Sequence, residues 1–322
     1  MDAARASRRS TKGGTYVENL NRLAGKRLSR RRFLAGIGTG AGAAAALTVA
    51  AGCGGHSNNS SSTGTGSGPG TGTGATITDT DILNFALNLE YLEAEFYLRA
   101  TTGSGLSSTD SGGTGTVTGG AMVPFKTPAI QQYAVEIAND ELAHVRFLRK
   151  ALGSAAVGRP DIDLTNSFNA AAMAAGIGPA FNPFADENSF IVGAFTFEDV
   201  GVTAYHGAAT LLTVSSDLAA AGGILGTEAY HAGTIRTLLT QLGTPYITYA
   251  NQISALRASA GGGAETTLSS TSIVACDSSS ISWDRTASQV LHIVYLSAMA
   301  GVVSKGGFFP SGLNGTITAT TT

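Results

Sequence analysis

Four stretches of this 322-residue chain place a glutamate in the middle of the apolar face of an amphipathic helix. With a step of about 100° per residue, mostly Leu, Ile, Val and Ala side chains surround each glutamate on the face that should point into a core. An unpaired carboxylate in an apolar interior costs several kcal/mol or gives up its charge. A shared cation removes that cost, so the pattern predicts a helical bundle around a cation site. The four glutamates are Glu90, Glu141, Glu198 and Glu228.

Two of these helices also carry a histidine three positions after the glutamate, as Glu141 with His144 and Glu228 with His231. This spacing places both side chains on one helix face, where they can point at the same ion. Four carboxylates and two imidazoles suit two divalent metals with carboxylate bridges, and they leave coordination positions open for a small molecule. The predicted metal ligands are Glu90, Glu141, His144, Glu198, Glu228 and His231.

The helices also repeat in pairs. Tyr97 follows Glu90 by seven residues, and Tyr205 follows Glu198 by the same interval. Each tyrosine therefore lies near the face of its glutamate, where its hydroxyl can bond to a neighbouring carboxylate. The repeat predicts a bundle with a pseudo-twofold axis that relates one pair of helices to the other.

The helical periods predict an all-α fold, a four-helix bundle with a long crossover between its second and third helices. A Gly, Thr and Ser-rich insertion at 103–124 is expected on the surface. A further helix near the C-terminus carries His292, which has no ligand partner in the sequence and is expected to be structural. The bundle helices are predicted near 79–101, 127–152, 187–214 and 217–242, the crossover at 154–186, and the C-terminal helix at 287–303.

Other acidic residues of the first helix leave alternatives open. Glu93 lies at the edge of the face that carries Glu90, so it could replace Glu90 as a ligand or accept a hydrogen bond beside the site. We favour Glu90 because only it has the tyrosine seven residues later. Glu95 points away from this face and precedes Arg99 by four residues, which predicts a solvated ion pair.

Polar residues next to the ligand faces are expected to be structural. Asp140 and Asp199 lie about 100° from their ligand faces, which predicts a surface position or a contact with a ligand. His206 is expected to be exposed or satisfied by a neighbour. Arg149 and Arg236 are expected to extend to the surface or to pair with acids at helix ends.

The N-terminal residues 1–52 resemble a twin-arginine (Tat) export signal, with Ser-Arg-Arg-Arg-Phe-Leu at 29–34 followed by a Gly and Ala-rich apolar run. An ordinary secretory signal is the alternative. Ala-Ala-Gly-Cys at 50–53 resembles a lipobox, which makes Cys53 the expected lipidation site. Residues 53–78 are a predicted flexible linker of Gly, Ser, Thr and Asn. The expected partners are the Tat machinery and a membrane, and the expected location is the bacterial envelope, periplasmic or on the outer face of the cytoplasmic membrane.

Charge and cysteine content exclude two classes of site. Residues 1–52 hold 10 Lys and Arg against 2 Asp and Glu, and residues 53–322 hold 10 against 20. The acidic body argues against binding to nucleic acid, because it repels the phosphate backbone. Two cysteines, Cys53 and Cys276, are too few for a disulfide framework or a thiolate zinc site, so oxygen and nitrogen must hold any metal. Cys276 is expected to be a buried or inert thiol.

Taken in order, Asn88-Leu89-Glu90, Tyr97, Asp140-Glu141-Leu142-Ala143-His144, Glu198 and Glu228-Ala229-Tyr230-His231 resemble the ferritin-like di-metal carboxylate proteins. The segment at 306–315, Gly-Gly-Phe-Phe-Pro-Ser-Gly-Leu-Asn-Gly, is similar to a C-terminal segment of the exported, desiccation-related group of that superfamily.

The resemblance implies a ferritin-like domain over 79–322, with a core bundle at 79–243 and a C-terminal region at 244–322. It further implies two iron or manganese ions and ferroxidase, peroxidase or catalase-like work on dioxygen or peroxide. Tyr97 and Tyr205 would then be able to supply an electron or orient bound oxygen. The alternative is a non-enzymatic, envelope-anchored stress or desiccation-related protein with a structural metal site.

Overall fold

The computed structural model describes residues 76–113, 115–298 and 301–321. The predicted export signal at 1–52, Cys53 and nearly all of the linker lie outside the described residues, so these assignments stay predictions. Among the helices of the described ranges, none combines the length and the apolar character that a membrane span needs.

The described residues are mainly helical, which confirms the predicted all-α bundle. In chain order the elements are α1 (Asp79–Thr102), α2 (Ser108–Ser111), β1 (Val117–Thr118), α3 (Pro128–Leu152), β2 (Ile162–Asp163), α4 (Asn166–Ala175), α5 (Glu187–Ala209), α6 (Ser215–Leu242), α7 (Tyr246–Gly261) and α8 (Ala287–Val294). The bundle consists of α1, α3, α5 and α6. Its closest pairs are α1 with α3 and α5 with α6, while α1 also contacts α5 and α3 contacts α6.

Local sequence signals set the ends of the bundle helices. Thr78 and Asp81 form a capping box at the start of α1, and Gly103 ends that helix with a φ of 77°. Pro128 occupies the first turn of α3, where its missing N–H is not needed. Asp186 caps α5 by accepting hydrogen bonds from two backbone N–H groups. These signals fix where the helices begin and end.

The crossover between α3 and α5 has more structure than the sequence indicated. It contains α4, and its strand β2 pairs in parallel with β1 of the insertion, with Val117 opposite Ile162 and Thr118 opposite Asp163. The insertion and the crossover therefore brace each other.

A second layer covers one face of the bundle. It includes α7, which the sequence did not indicate, and α8, which is shorter than the predicted helix at 287–303. Helix α8 stops because the N–H of Phe308 bonds to the Val294 carbonyl at 2.9 Å, so the returning tail takes an acceptor that a longer helix would use. Likewise α5 ends at Ala209, five residues before the predicted end.

The C-terminal tail docks on α1 beside the first predicted ligand. The Asn88 side chain donates to the Asn314 carbonyl at 2.8 Å and accepts from its N–H at 3.0 Å. Phe308 packs edge-on against Phe168 and Phe197, which links the tail to α4 and α5. The Gly and Phe-rich segment at 306–315 is thus part of the wall around the bundle.

Candidate metal centre

The four bundle helices bring all six predicted metal ligands together in the interior. Each of the six residues is buried, with exposed fractions between 0% and 8%. Their donor atoms form two groups, in each of which every atom lies within 4.8 Å of the others. One group holds Glu90, Glu141, His144 and Glu228, and the other holds Glu141, Glu198 and His231.

The two groups are joined by a single carboxylate. In the first group, His144 Nδ1 lies 3.2 Å from Glu90 Oε2, and it lies 3.4 Å from Glu228 Oε1 and 3.6 Å from Glu141 Oε2. In the second group, His231 Nδ1 lies 3.0 Å from Glu141 Oε1 and 3.7 Å from Glu198 Oε2. Glu141 therefore presents one oxygen to each group, the arrangement needed to bridge two cations.

Unsatisfied polar atoms test whether these residues fit metal ions. Both carboxylate oxygens of Glu141 and Glu228, one oxygen of Glu198 and Nδ1 of His231 are buried without a well-aligned hydrogen bond to any described residue, although the two histidines lie within ion-pair distance of the carboxylates. Buried polar atoms are normally satisfied, and leaving a charged one unpaired is costly. Two divalent cations would satisfy all of them, and the oxygen and nitrogen donors suit iron or manganese. The residues present fit a two-metal site.

The same crowding perturbs the proton affinities of the cluster. Burial raises the pKa of Glu90 to about 8, although His144 acts to lower it. Burial also acts to raise the pKa of Glu141, but its interactions with His144 and His231 outweigh that and lower the pKa to about 2. Burial acts to lower the pKa of His231, yet contacts with Glu141 and Glu198 raise it to about 10. Without cations, protons therefore offset part of the carboxylate charge.

The two predicted tyrosines bond across the bundle. The Tyr97 hydroxyl of α1 donates to Glu198 Oε1 of α5, and the Tyr205 hydroxyl of α5 donates to Glu90 Oε1 of α1. In both pairs the tyrosine holds Oε1, while Oε2 of the carboxylate faces a histidine. The predicted hydrogen bonds to neighbouring carboxylates are present, and the redox role of the tyrosines stays a prediction.

Asp140 and Asp199 have different environments, although each is next to a ligand in sequence. Asp140 Oδ2 lies 3.3 Å from Nε2 of His231, so this carboxylate can orient the imidazole. A surface position for Asp199 was the wrong expectation, because its Oδ2 is buried and accepts from Arg236 and Arg257, each at 2.8 Å. Arg236 is likewise buried and does not extend to the surface.

A further prediction, for Glu95 of α1, needs revision. Glu95 forms the predicted pair with Arg99 at 2.8 Å, but it is fully buried and not solvated, because Arg159 and the N–H of Leu106 also donate to it. Arg149 of α3 is half-buried and donates to the Tyr91 hydroxyl at 2.6 Å.

Glu93 is a buried carboxylate beside the centre that belongs to neither ligand group. Burial and the neighbouring glutamates, Glu228 first among them, raise its pKa well above the usual range. It faces Gly201 of α5, where an added Cβ would lie 3.4 Å from Glu93 Oε1 and 2.4 Å from Glu228 Oε2. Gly201 therefore makes room for a ligand carboxylate. The available signal was a glycine in a helix interior three residues after Glu198, on the ligand face.

An open, polar groove leads to the centre between α3 and α6. It has a volume of about 430 Å³, and its lining includes Tyr133, Glu136, Asp140, Tyr230 and His231. Tyr230 is 80% exposed at its rim, whereas His231 is buried at its inner end. Only the imidazole ring of His231 thus separates a polar molecule in the groove from the centre.

The two other histidines and the cysteine of the described residues lie away from the centre. Half-buried His206 has Nδ1 3.2 Å from the Trp283 carbonyl, and His292 is buried with Nδ1 3.0 Å from Ser297 Oγ, so both fit the expected structural roles. Cys276 is a free, half-buried thiol.

Comparison with known proteins agrees with this geometry. Residues 78–241 match the family model described as a ferritin-like domain. The chain is 29% identical over 266 residues to the ferritin-like catalase Nec2 of Nesocodon mauritianus, an alignment that covers 74% of this chain and 84% of that protein. It is 32% identical over 192 residues to the desiccation-related protein PCC13-62 of Craterostigma plantagineum, covering 55% of this chain and 60% of that protein.

Proposed function

Since the chain belongs to the ferritin-like domain family, we propose that its buried centre binds two iron or manganese ions and disproportionates hydrogen peroxide. In this reaction two molecules of peroxide yield two of water and one of dioxygen, so no other oxidant or reductant is needed. The observation that carries the proposal is the set of buried, unsatisfied carboxylate oxygens in two groups that share Glu141. The relative named as a ferritin-like catalase supports the choice of peroxide.

The donor atoms divide the ligands between the two positions. Glu90, His144 and Glu228 would hold one metal, Glu198 and His231 would hold the other, and Glu141 would bridge them. When bound, the metals supply a Lewis acid and a reversible change of oxidation state.

The chain's own residues control access and orientation. Because peroxide is polar, the groove beside Asp140 and His231 gives it a hydrated path toward the centre. Asp140 fixes the ring of His231 from the groove side, and Tyr97 and Tyr205 fix the outer oxygens of two ligands. Splitting peroxide also requires protons to move between oxygens. Glu93 is buried beside the ligands, where either oxygen of its carboxylate can accept such a proton and return it.

A second candidate function rests on the desiccation-related relative. In that case the metals would join the four helices without turnover, and the protein would act as a structural stress protein. The two candidates share the metal site and differ only in peroxide consumption.

We further propose that the chain is exported by the Tat route and held at the bacterial envelope by a lipid on Cys53. The support is the arginine cluster at 30–32, the lipobox-like sequence at 50–53 and the Gly and Ser-rich linker that follows. Replacement Cys53→Ser should release the protein from the membrane fraction, whereas Cys276→Ser should leave it bound. Equal membrane retention of both variants would contradict the lipid anchor.

The test of the proposed reaction combines metal analysis with dioxygen release. The full chain is loaded with iron or manganese, and dioxygen release from peroxide is followed for wild type, Glu141→Gln and Asp217→Asn. Asp217 is a matched control because it is an acid of α6 in the first turn, outside both ligand groups. We expect about two metals per chain and dioxygen release in wild type and Asp217→Asn, and loss of both in Glu141→Gln. Metal binding without dioxygen release in wild type would favour the structural candidate.

A further inference from the structure

A second cavity approaches the centre from the opposite seam of the bundle. Its volume is about 40 Å³, and it lies among α1, α4, α5, α7, α8 and the tail residue Phe308. Because α1 packs against α3 and α5, and α6 packs against α5 and α3, the α1–α5 seam faces away from the α3–α6 seam that holds the polar groove. The two cavities therefore approach the centre from different sides.

The inner end of this cavity is lined by two neighbours of the metal ligands. Glu93 and Gly201 both line it. Gly201 also packs directly against a ligand carboxylate, because a Cβ at this position would lie 2.4 Å from Glu228 Oε2. At other points the lining includes half-buried residues such as Phe181, Leu256 and Leu296, where the cavity approaches the surface.

The lining of the cavity selects against polar molecules. Apart from Glu93, its described lining residues are apolar except for Thr196 and Arg257. The Arg257 guanidinium is already committed, because it donates to the Phe195 carbonyl, Asp199 and Glu265. Apolar cavities stay dry and bind small apolar molecules such as xenon, and a polar molecule that enters one loses hydrogen bonds to water. A volume of about 40 Å³ corresponds to about three water-sized probes, so the space suits a small molecule.

We propose that this cavity is a binding site for dioxygen next to the two-metal centre. Dioxygen is small and apolar, and the cavity is the apolar space that adjoins a ligand carboxylate through Gly201. The choice of dioxygen over another small apolar molecule rests on the proposed function, in which dioxygen is the product. Peroxide and dioxygen would then use separate routes, the first along the polar groove and the second through the apolar cavity.

Xenon is the probe that tests the site directly. Crystals of the metal-loaded protein are pressurised with xenon, and a second set with dioxygen, for wild type, Ala172→Leu and Ala174→Leu. Ala172 and Ala174 both lie on α4, but Ala172 is buried and lines the cavity, whereas Ala174 is exposed. A leucine at 172 fills the space, and the same substitution at 174 controls for the effect of leucine on the helix.

We expect density for xenon and for dioxygen in the cavity of wild type and Ala174→Leu, and its loss in Ala172→Leu with unchanged metal content. Absence of both gases from the wild-type cavity, or undiminished density in Ala172→Leu, would overturn the proposal. Gas binding is measured without turnover, so the two proposals can fail separately. Bound xenon and dioxygen without peroxide consumption would support the cavity site and refute the catalase reaction, and the reverse result would refute the cavity site alone.

Discussion

Tyr97 on α1 donates its hydroxyl hydrogen to Glu198 on α5, which lies 101 positions later in the chain. The reciprocal bond runs from Tyr205 on α5 to Glu90 on α1. Each bond fixes the outer oxygen of a ligand carboxylate and leaves the inner oxygen facing a histidine. The two bonds are equivalent under the pseudo-twofold repeat, and each joins one half of the bundle to the other.

The first prediction concerns these two tyrosines. Tyr97→Phe should weaken metal binding at the His231 position, and Tyr205→Phe should weaken it at the His144 position, each by about 10 to 100-fold, because an oriented ligand loses its partner. Metal titration followed by spectroscopy or calorimetry measures the two affinities.

The matched control for the tyrosine variants is Tyr295→Phe, because Tyr295 is also buried but its hydroxyl bonds to the Thr318 carbonyl at 2.7 Å. This variant should keep both affinities. If Tyr97→Phe and Tyr205→Phe bound both metals as tightly as Tyr295→Phe, the two hydroxyls would not orient the ligands.

The second prediction concerns Gly201. In an exposed helix interior, Gly→Ala stabilises by about 0.5–1 kcal/mol. At Gly201 the new methyl group would meet Glu228 Oε2 at 2.4 Å, so Gly201→Ala should displace the ligand and reduce the metal content. Gly222→Ala on α6, which meets open space, should keep the metals and raise the unfolding temperature. Equal metal content in both variants would show that Gly201 is not needed for space.

The third prediction concerns pH. The folded-state pKa of Glu90 is raised from 4.5 to about 8, and that of His231 from 6.5 to about 10. Both groups therefore bind protons more tightly in the folded state, which contributes stability below the unfolded pKa values and is lost as the pH rises through about 8 and 10. The pKa of Glu141 is lowered from 4.5 to about 2, so this group changes the stability only as the pH falls below about 4.5.

Metal-free protein should accordingly unfold at a lower temperature at about pH 9 than at about pH 5.5. Metal-loaded protein should show the opposite trend, because the cations displace these protons and bind more tightly as the pH rises. Calorimetric melting of both forms across this range measures the difference. Identical pH profiles would mean that metals do not bind at Glu90 and His231.

The fourth prediction concerns the buried ion pairs behind the centre. Asp199 pairs with Arg236 of α6 and Arg257 of α7, and all three residues are buried. Asp199→Ala should lower the free energy of unfolding by about 3–5 kcal/mol, because the buried Arg236 guanidinium loses its carboxylate and the buried Arg257 guanidinium keeps only Glu265. Asp110→Ala, which removes a pair with the 59% exposed Arg146 side chain, should cost about 1 kcal/mol or less in the same denaturant titration. Similar losses for both would contradict the burial argument.

The positions of the ligands could be predicted because helical periodicity alone places Glu90, Glu141, Glu198 and Glu228 on inward faces. Helix α7 could not be found in this way. Its buried positions recur with helical spacing, but they include Ser254, Arg257 and Gly261, so no apolar face is visible in the sequence.

The burial of Glu95 and Asp199 was missed for a related reason. A charged residue off the ligand face is normally solvated, unless a distant segment supplies a counter-charge. Here Arg159 of the crossover reaches Glu95, and Arg257 of α7 reaches Asp199. These partners are 64 and 58 positions away, so local spacing carries no sign of them. The need for a glycine at position 201 could not be predicted for the same reason, because it depends on how closely Glu228 of α6 approaches.

The most direct test of the account is anomalous diffraction from crystals of the metal-loaded protein at the iron or manganese absorption edge. We expect two anomalous peaks, one among Glu90, Glu141, His144 and Glu228 and the other among Glu141, Glu198 and His231. Both peaks should vanish when Glu141→Ala is combined with Glu228→Ala. A single surface peak, or no peak within the bundle of the wild-type protein, would contradict the two-metal centre.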